Sequence, residues 1–312
     1  MTLDLAGLKI GHAEVEGHLT GCTVILCPDG TTAGVDVRGP APGSRETALL
    51  GIDKPVHFIN AIMLSGGSAF GLAAADGAMR YLAERNIGHP TLIKPIPIVP
   101  AAIIYDLFLS QGQAFPTAET GYAACLNAED GEIAQGNVGA GLGAIVGKWS
   151  MTGGIMKGGF GLASHRDGDL VVGAAVVVNA IGDIVESDGR ILAGARKPEG
   201  GWMVEENPFR RFPDAPPVQL GTNTTLAVVY TNAALNKVEA NRLAQRAHDG
   251  LAIAIRPVHT THDGDIAFAL ATGQVEGGFD AVASFAVDMV AEAIRNSVRQ
   301  ARSVGPILGL AD

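Results

Sequence analysis

Two hydroxyls follow an asparagine where a proline-rich stretch gives way to an apolar run, in Gly221-Thr222-Asn223-Thr224-Thr225-Leu226. Within a continuous chain this reads as a loop entering a strand, since Thr is an ordinary strand residue and Asn an ordinary turn residue. A threonine at a new N-terminus is chemically different. It carries a hydroxyl and an α-amine of pKa about 8, and that amine accepts the hydroxyl proton near neutral pH without a histidine base. The same hydroxyl could first attack the Asn223 carbonyl and form an ester that water resolves, so Thr224 would serve both maturation and catalysis.

Other groups could act beside such a nucleophile. Asp263 and Asp265 alternate by two, which in a strand points both carboxylates to one face, where each raises the other's pKa. In an Asp-Gly-Asp turn they would be solvated acids. Asn179 closes the apolar run Val171 to Val178, and an amide buried there needs partners or a role. Tyr105 follows Ala101-Ala102-Ile103-Ile104 and is equally a core tyrosine with a satisfied hydroxyl. Ser68 lacks the Gly-x-Ser-x-Gly elbow because position 70 is Phe. Gly66, Gly67 and Ser68 therefore read as close backbone packing, with N–H donors at a helix N-terminus that suit a substrate or oxyanion pocket. His259 and His262 have no third ligand at metal spacing, which leaves a surface or supporting role. Gly139-Ala140-Gly141-Leu142-Gly143 fits neither phosphate-loop pattern. Cys22, Cys27 and Cys125 form neither an even disulfide set nor a Cys-x-x-Cys motif and read as buried thiols. No cofactor and no metal is expected.

These side chains need a scaffold. The 42 glycines lack a fixed period and punctuate short β-branched runs: Thr23 to Leu26, Val171 to Val178 and Leu226 to Tyr230 read as buried strands. Ser68 to Arg85 reads as an amphipathic helix with Phe70, Ala74, Ala78 and Tyr81 on one face. Asn236 caps a second helix, with Glu239 in the reciprocal position, running to about Ala252. A third spans roughly Phe279 to Ala301. Gly194 to Leu220 is rich in proline and reads as an exposed loop. Strands and helices are interspersed, which predicts a layered α/β sandwich with sheets inside and helices outside.

With 312 residues, 47% of them hydrophobic and 17% charged, the chain can bury a large core. Its formal charge of −10 argues against a nucleic-acid partner. Met1-Thr2-Leu3-Asp4 does not open a signal peptide, and Ile93 to Leu109 is interrupted by Lys94, Pro95, Pro97, Pro100 and Asp106, so no membrane span is expected. The expectation is a cytoplasmic protein.

Leu64-Ser65-Gly66-Gly67-Ser68-Ala69-Phe70-Gly71, Ile104-Tyr105-Asp106, Asn137-Val138-Gly139-Ala140-Gly141, Asn223-Thr224-Thr225 and His262-Asp263-Gly264-Asp265 together resemble the DmpA-type aminopeptidases and the related endo-type 6-aminohexanoate-oligomer (nylon-oligomer) hydrolases. The resemblance covers nearly the whole chain. It implies a four-layer αββα sandwich like that of the N-terminal-nucleophile hydrolases, one hydrolase domain over residues 1–312, self-cleaved into pieces 1–223 and 224–312. It places the nucleophile at Thr224 and the self-cleavage donor at Asn223, where many aminopeptidase members have Gly followed by Ser. Lys148, in Gly147-Lys148-Trp149, would be the cation near the nucleophile, with Lys157 as its nearby rival. Asn179 would be an oxyanion donor, Tyr105 a pocket residue, and Asp263 with Asp265 the pair that holds the nucleophile and its amine. Two Asp here, and Asn before the nucleophile, resemble the nylon-hydrolase branch. The resemblance further implies a small amide or peptide substrate and a homotetramer of processed units. Aminopeptidase action, acyl transfer through the same acyl-enzyme, and an unprocessed binding scaffold stay open.

Overall fold

The computed structural model describes residues 4–151, 153–211 and 223–312. One five-stranded sheet contains β1 (Lys9–Glu14), β2 (Gly21–Leu26), β4 (Ser44–Arg45), β5 (Ala61–Ser65) and β6 (Ala101–Ile103), in the order β1-β2-β5-β6-β4. A second contains β3 (Thr32–Val37), β9 (Gly159–Asp167), β10 (Leu170–Asn179), β13 (Thr224–Ala233) and β15 (Ile266–Val275), in the order β3-β15-β13-β10-β9. β7 (Ile145–Val146) pairs with β8 (Met156–Lys157), and β11 (Asp183–Val185) lies between β12 (Ile191–Ala193) and β14 (Ile255–Arg256). The helices are α1 (Ala74–Ala83), α2 (Leu107–Ser110), α3 (Ala118–Leu126), α4 (Lys237–Ala254) and α5 (Phe279–Arg299).

Side-chain alternation assigns the layers. On β13, Leu226, Val228 and Tyr230 point into a core shared with Ile25, Ile62 and Leu64 of the other sheet. Ala227 and Val229 point the opposite way, against Leu243 and Leu251 of α4 and Val290 and Ile294 of α5. On the first sheet, Val24 and Met63 face Ala75 and Ala78 of α1 and Ala124 of α3. Strands covered on both faces must be apolar throughout, which is why β10 and β13 read as unbroken β-branched runs. The result is the αββα sandwich.

The expected strands fall in β2, β10 and β13. α4 is capped by Asn236, whose side chain accepts from Val238 N at 2.9 Å and Glu239 N at 3.0 Å, while Glu239 Oε2 accepts from Asn236 N at 2.9 Å. The helix expected at Ser68–Arg85 is shorter. Ser68–Ala73 is a 3-10 turn and the α-helix begins at Ala74. Gly67 and Ser68 have φ of 80° and 54°, and a Cβ on Gly71 would lie 1.8 Å from the Gly66 carbonyl oxygen, so the entry is too tight for an α-turn. Phe70 is 60% exposed and stacks on Phe115 rather than joining Ala74 and Ala78 in the core. Of the expected loop at 194–220, Ala195 is buried and Arg196 bridges both Gly154 and Trp202; residues 212–222, Gly221 and Thr222 included, lie outside the described residues. Among the described residues no helix is long and apolar enough to cross a membrane.

Candidate active site

Thr224 is the first residue of β13, directly opposite Asn179, the last residue of β10. Asn223 forms a parallel bridge with Asp263, just before β15. Both Asn223 and Thr224 are 3% exposed. The Asn223 carbonyl oxygen accepts the Thr224 hydroxyl at 2.5 Å and the Gly264 N–H at 2.8 Å. Two donors on one carbonyl oxygen draw electron density from its carbon and stabilise negative charge that develops there. A Cβ on Gly264 would lie 2.5 Å from the Ala41 carbonyl oxygen and 2.8 Å from Thr224 Oγ1, so only glycine fits this approach. Asn223 Nδ2 donates to the His262 carbonyl at 3.3 Å and fixes the other side of the turn.

Asp263 and Asp265 precede β15 rather than lying within it, so each is held by its own donors instead of sharing one strand face. Thr225 N donates to Asp265 Oδ1 at 2.7 Å, and His259 Nδ1 lies 2.8 Å from Oδ2. Asp263 Oδ2 accepts from Thr260 N and Thr260 Oγ1, both at 2.7 Å. Burial first, then the charge of Asp265, pushes the Asp263 carboxyl up to about 6 against the pull of Thr260 and Lys148. Lys148 Nζ donates to Asn179 O and to Asn179 Oδ1, both at 3.0 Å. Burial brings its ammonium down to about 7, while Asp263 and Asp265 pull it back up. Lysine and carboxylates thus form one electrostatic unit.

Asn179 Oδ1 also accepts from Ile145 N at 3.1 Å, and its Nδ2 donates to the Tyr105 carbonyl at 3.0 Å. Tyr105, Phe108, Ile145, Lys148, Met151 and Ile155 line a cleft of about 320 Å³. Trp149, the neighbour of Lys148, is anchored through Nε1 to Asp183 Oδ1 at 2.8 Å.

Lys157 goes elsewhere. Its Nζ donates to the carbonyls of Leu142 at 2.8 Å and Ala144 at 2.6 Å, and its charge faces Asp106. Gly66, Gly67 and Ser68 do not present oxyanion donors: their N–H groups go to Gly21 O at 2.9 Å, Asp106 Oδ1 at 2.6 Å and Ile104 O at 3.0 Å. The tight 3-10 entry turns these amides inward. The backbone N–H aimed at the Asn223 carbonyl is that of Gly264, which carries no sequence signal beyond its place between two aspartates. His259, read from sequence only as a surface or supporting residue, backs Asp265. Among the described residues no group of three His, Cys, Asp or Glu is arranged to hold a metal.

Two sheets lie between helix layers, and a buried hydroxyl opens an inner strand beside an asparagine, a lysine and two carboxylates. The chain belongs to peptidase family S58, whose model matches residues 2–309. It is 41% identical over 300 residues to a protein named as an uncharacterized aminopeptidase of Mycobacterium leprae, a match covering 88% of this chain and 78% of that protein. It is 35% identical over 283 residues to a 6-aminohexanoate-oligomer endohydrolase of Paenarthrobacter ureafaciens, covering 88% of this chain and 76% of the relative. The fold is shared with an l-aminopeptidase d-ala-esterase/amidase of Ochrobactrum anthropi, described as a variant of the Ntn hydrolase fold: TM-score 0.73, 21% identity, covering 99% of this chain and 91% of the other.

Proposed function

We propose that the chain cuts itself between Asn223 and Thr224 and that the freed Thr224 hydrolyses short amide oligomers of the 6-aminohexanoate kind. The observation that carries this reading is the buried Thr224 hydroxyl at 2.5 Å from the Asn223 carbonyl oxygen, with the Gly264 N–H on the same oxygen. In maturation, Thr224 Oγ1 attacks the Asn223 carbonyl carbon and the C–N bond breaks. The nitrogen takes the proton, and water then hydrolyses the ester to leave an Asn223 carboxylate and a free α-amine. In turnover the amine takes the hydroxyl proton as Oγ1 attacks the substrate carbonyl. Asn179 and Lys148 stabilise the oxyanion, and the proton leaves with the departing amine. Water activated by the same α-amine releases the acyl group. Asp265 holds the start of β13 through the Thr225 N–H, and Asp263 keeps Lys148 cationic. Tyr105 borders the substrate.

The apolar walls Phe108, Met151 and Ile155 suit the methylene segments of such a substrate, in keeping with the nylon-oligomer relatives. In this reading the residues form one hydrolase domain of pieces 1–223 and 224–312, assembled as a homotetramer of processed units in the cytoplasm. Denaturing electrophoresis of purified protein gives two fragments, and sequencing of the smaller begins at Thr224. Thr224→Ala remains a single chain and loses turnover. Wild-type protein that is active while intact overturns the proposal, and efficient transfer of the acyl group to a supplied amine would reassign the reaction.

A further inference from the structure

Lys157 is a second buried lysine. It is 1% exposed, and its head group is spent on two carbonyls, Leu142 O at 2.8 Å and Ala144 O at 2.6 Å. An amine buried this way needs a reason, because an apolar side chain of similar volume fills a core at lower cost. The charge it faces is Asp106, itself buried and wedged between two glycines: a Cβ on Gly66 would lie 2.1 Å from Asp106 Oδ2, and one on Gly143 would lie 2.6 Å from the same oxygen. Burial brings the Lys157 ammonium down to about 7, and Asp106 opposes that shift.

The second of those carbonyls leads to the active site. Ala144 O and Ile145 N belong to one peptide unit, and Ile145 N donates to Asn179 Oδ1 at 3.1 Å. A donor on the carbonyl of a peptide holds its plane and draws electron density from its nitrogen, so the N–H on the far side is both aimed and strengthened. Gly158 N donates to Ala144 O as well, at 2.9 Å, and Lys157 pairs with Ile145 across β7 and β8, so one short ribbon grips this peptide. Asn179 Oδ1 also accepts from Lys148 Nζ at 3.0 Å, while Asn179 Nδ2 donates to Tyr105 O at 3.0 Å. With two donors on Oδ1, a flipped amide would set its own N–H groups against the Lys148 ammonium and the Ile145 N–H. We propose that Lys157 is a positioning residue: through the Ala144–Ile145 peptide it sets which way the Asn179 amide faces, and through Asn179 it sets the place of Lys148. An uncharged amine keeps two hydrogens for the two carbonyls, so this grip does not depend on the charge of Lys157. It rests on the reading in which Asn179 and Lys148 stabilise the oxyanion.

Lys157→Met removes both donors at nearly constant volume. Hydrolysis of the linear 6-aminohexanoate trimer, referred to the processed fraction seen in denaturing electrophoresis, should show kcat lowered about tenfold with KM changed by no more than about twofold. Lys148, faced by Asp263 and Asp265, loses its Asn179 Oδ1 acceptor, so the alkaline limb of kcat/KM moves down by about one pH unit. In an Asn179→Ala background the same substitution should cost no more than about twofold, because the group it acts through is gone. Lys157→Gln keeps polarity but ends one bond short of the two carbonyls; it shifts kcat and the alkaline limb the same way and serves if the Met variant does not accumulate. Wild-type kcat and an unmoved alkaline limb in the processed Lys157 variants overturn the assignment and leave the Thr224 reading standing. So does a loss that persists in full in the Asn179→Ala background, which would make Lys157 a support of the fold alone. Processed wild-type protein that leaves the trimer intact removes both readings.

Discussion

Lys148 is drawn two ways. Burial brings its ammonium down to about 7, and the aspartates that face it oppose that shift, with Asp263 itself raised to about 6. If Lys148 acts as a cation and Asp263 as a carboxylate, kcat/KM rises with pH through about 6 and falls through about 7. Lys148→Arg keeps its charge at any accessible pH, so the alkaline loss should disappear from the pH–rate profile while the acid limb stays. Lys148→Met should lower kcat by roughly 10²–10³-fold below about pH 7, with the deficit shrinking as wild-type Lys148 loses its proton. An alkaline limb unchanged in the Arg variant would assign it to another group, such as the Thr224 amine.

The helix layer over the first sheet depends on residues that lack side chains. An ideal Cβ on Gly77 of α1 would lie 1.9 Å from the Ala118 carbonyl oxygen at the start of α3, and one on Gly121 would lie 1.9 Å from the Ala74 carbonyl oxygen. Backbone meets backbone from both sides, so neither helix can yield by a rotamer change. Gly77→Ala must push α1 and α3 apart and should lower stability in urea unfolding by about 1–3 kcal/mol. Thr224 belongs to the other sheet, so processing should still occur; unchanged stability would show that the two helices are not locked. The same closeness hides α3 in the sequence. Its small residues serve backbone contact and leave little helical periodicity, whereas α4 advertises itself through a local cap at Asn236.

Across the whole molecule, acid stability is shaped by histidines held neutral. His248 on α4 is buried, with Nε2 3.2 Å from Asp36 O and its ring 4.8 Å from that of His259. Burial lowers it from 6.5 to about 4, assisted by His259 and Arg38 and opposed by Asp36. The unfolded chain therefore binds this proton more tightly, and stability falls as pH drops from 6.5 towards 4. The slope from one such group is at most about 1.4 kcal/mol per pH unit. His248→Gln removes it, so the wild-type advantage measured by urea unfolding at neutral pH should shrink near pH ~4.5. A constant difference between the two proteins would mean that His248 titrates alike in the folded and unfolded chain.

Sequence alone determined what depends on near neighbours. Alternation and β-branching marked β10 and β13, the Asn236–Glu239 box marked α4, and the change from proline-rich chain to apolar run put Thr224 at the head of a strand. The family motifs added residue types that local pattern could not interpret. Tertiary structure decided which groups face Thr224. Asn179 and Asp263 come from distant parts of the chain and are brought together by the β10–β13 register and the Asn223–Asp263 bridge, and Lys148 joins them through its hydrogen bonds to Asn179. It also separated Lys148 from Lys157, both lowered to about 7, because only Lys148 faces the two aspartates. Gly66, Gly67 and Ser68, read from sequence as a substrate or oxyanion pocket, turn their N–H groups to Gly21, Asp106 and Ile104, while the Gly264 N–H reaches the Asn223 carbonyl. Donor direction and desolvation are properties of packed neighbours, and no local stretch of residues encodes them.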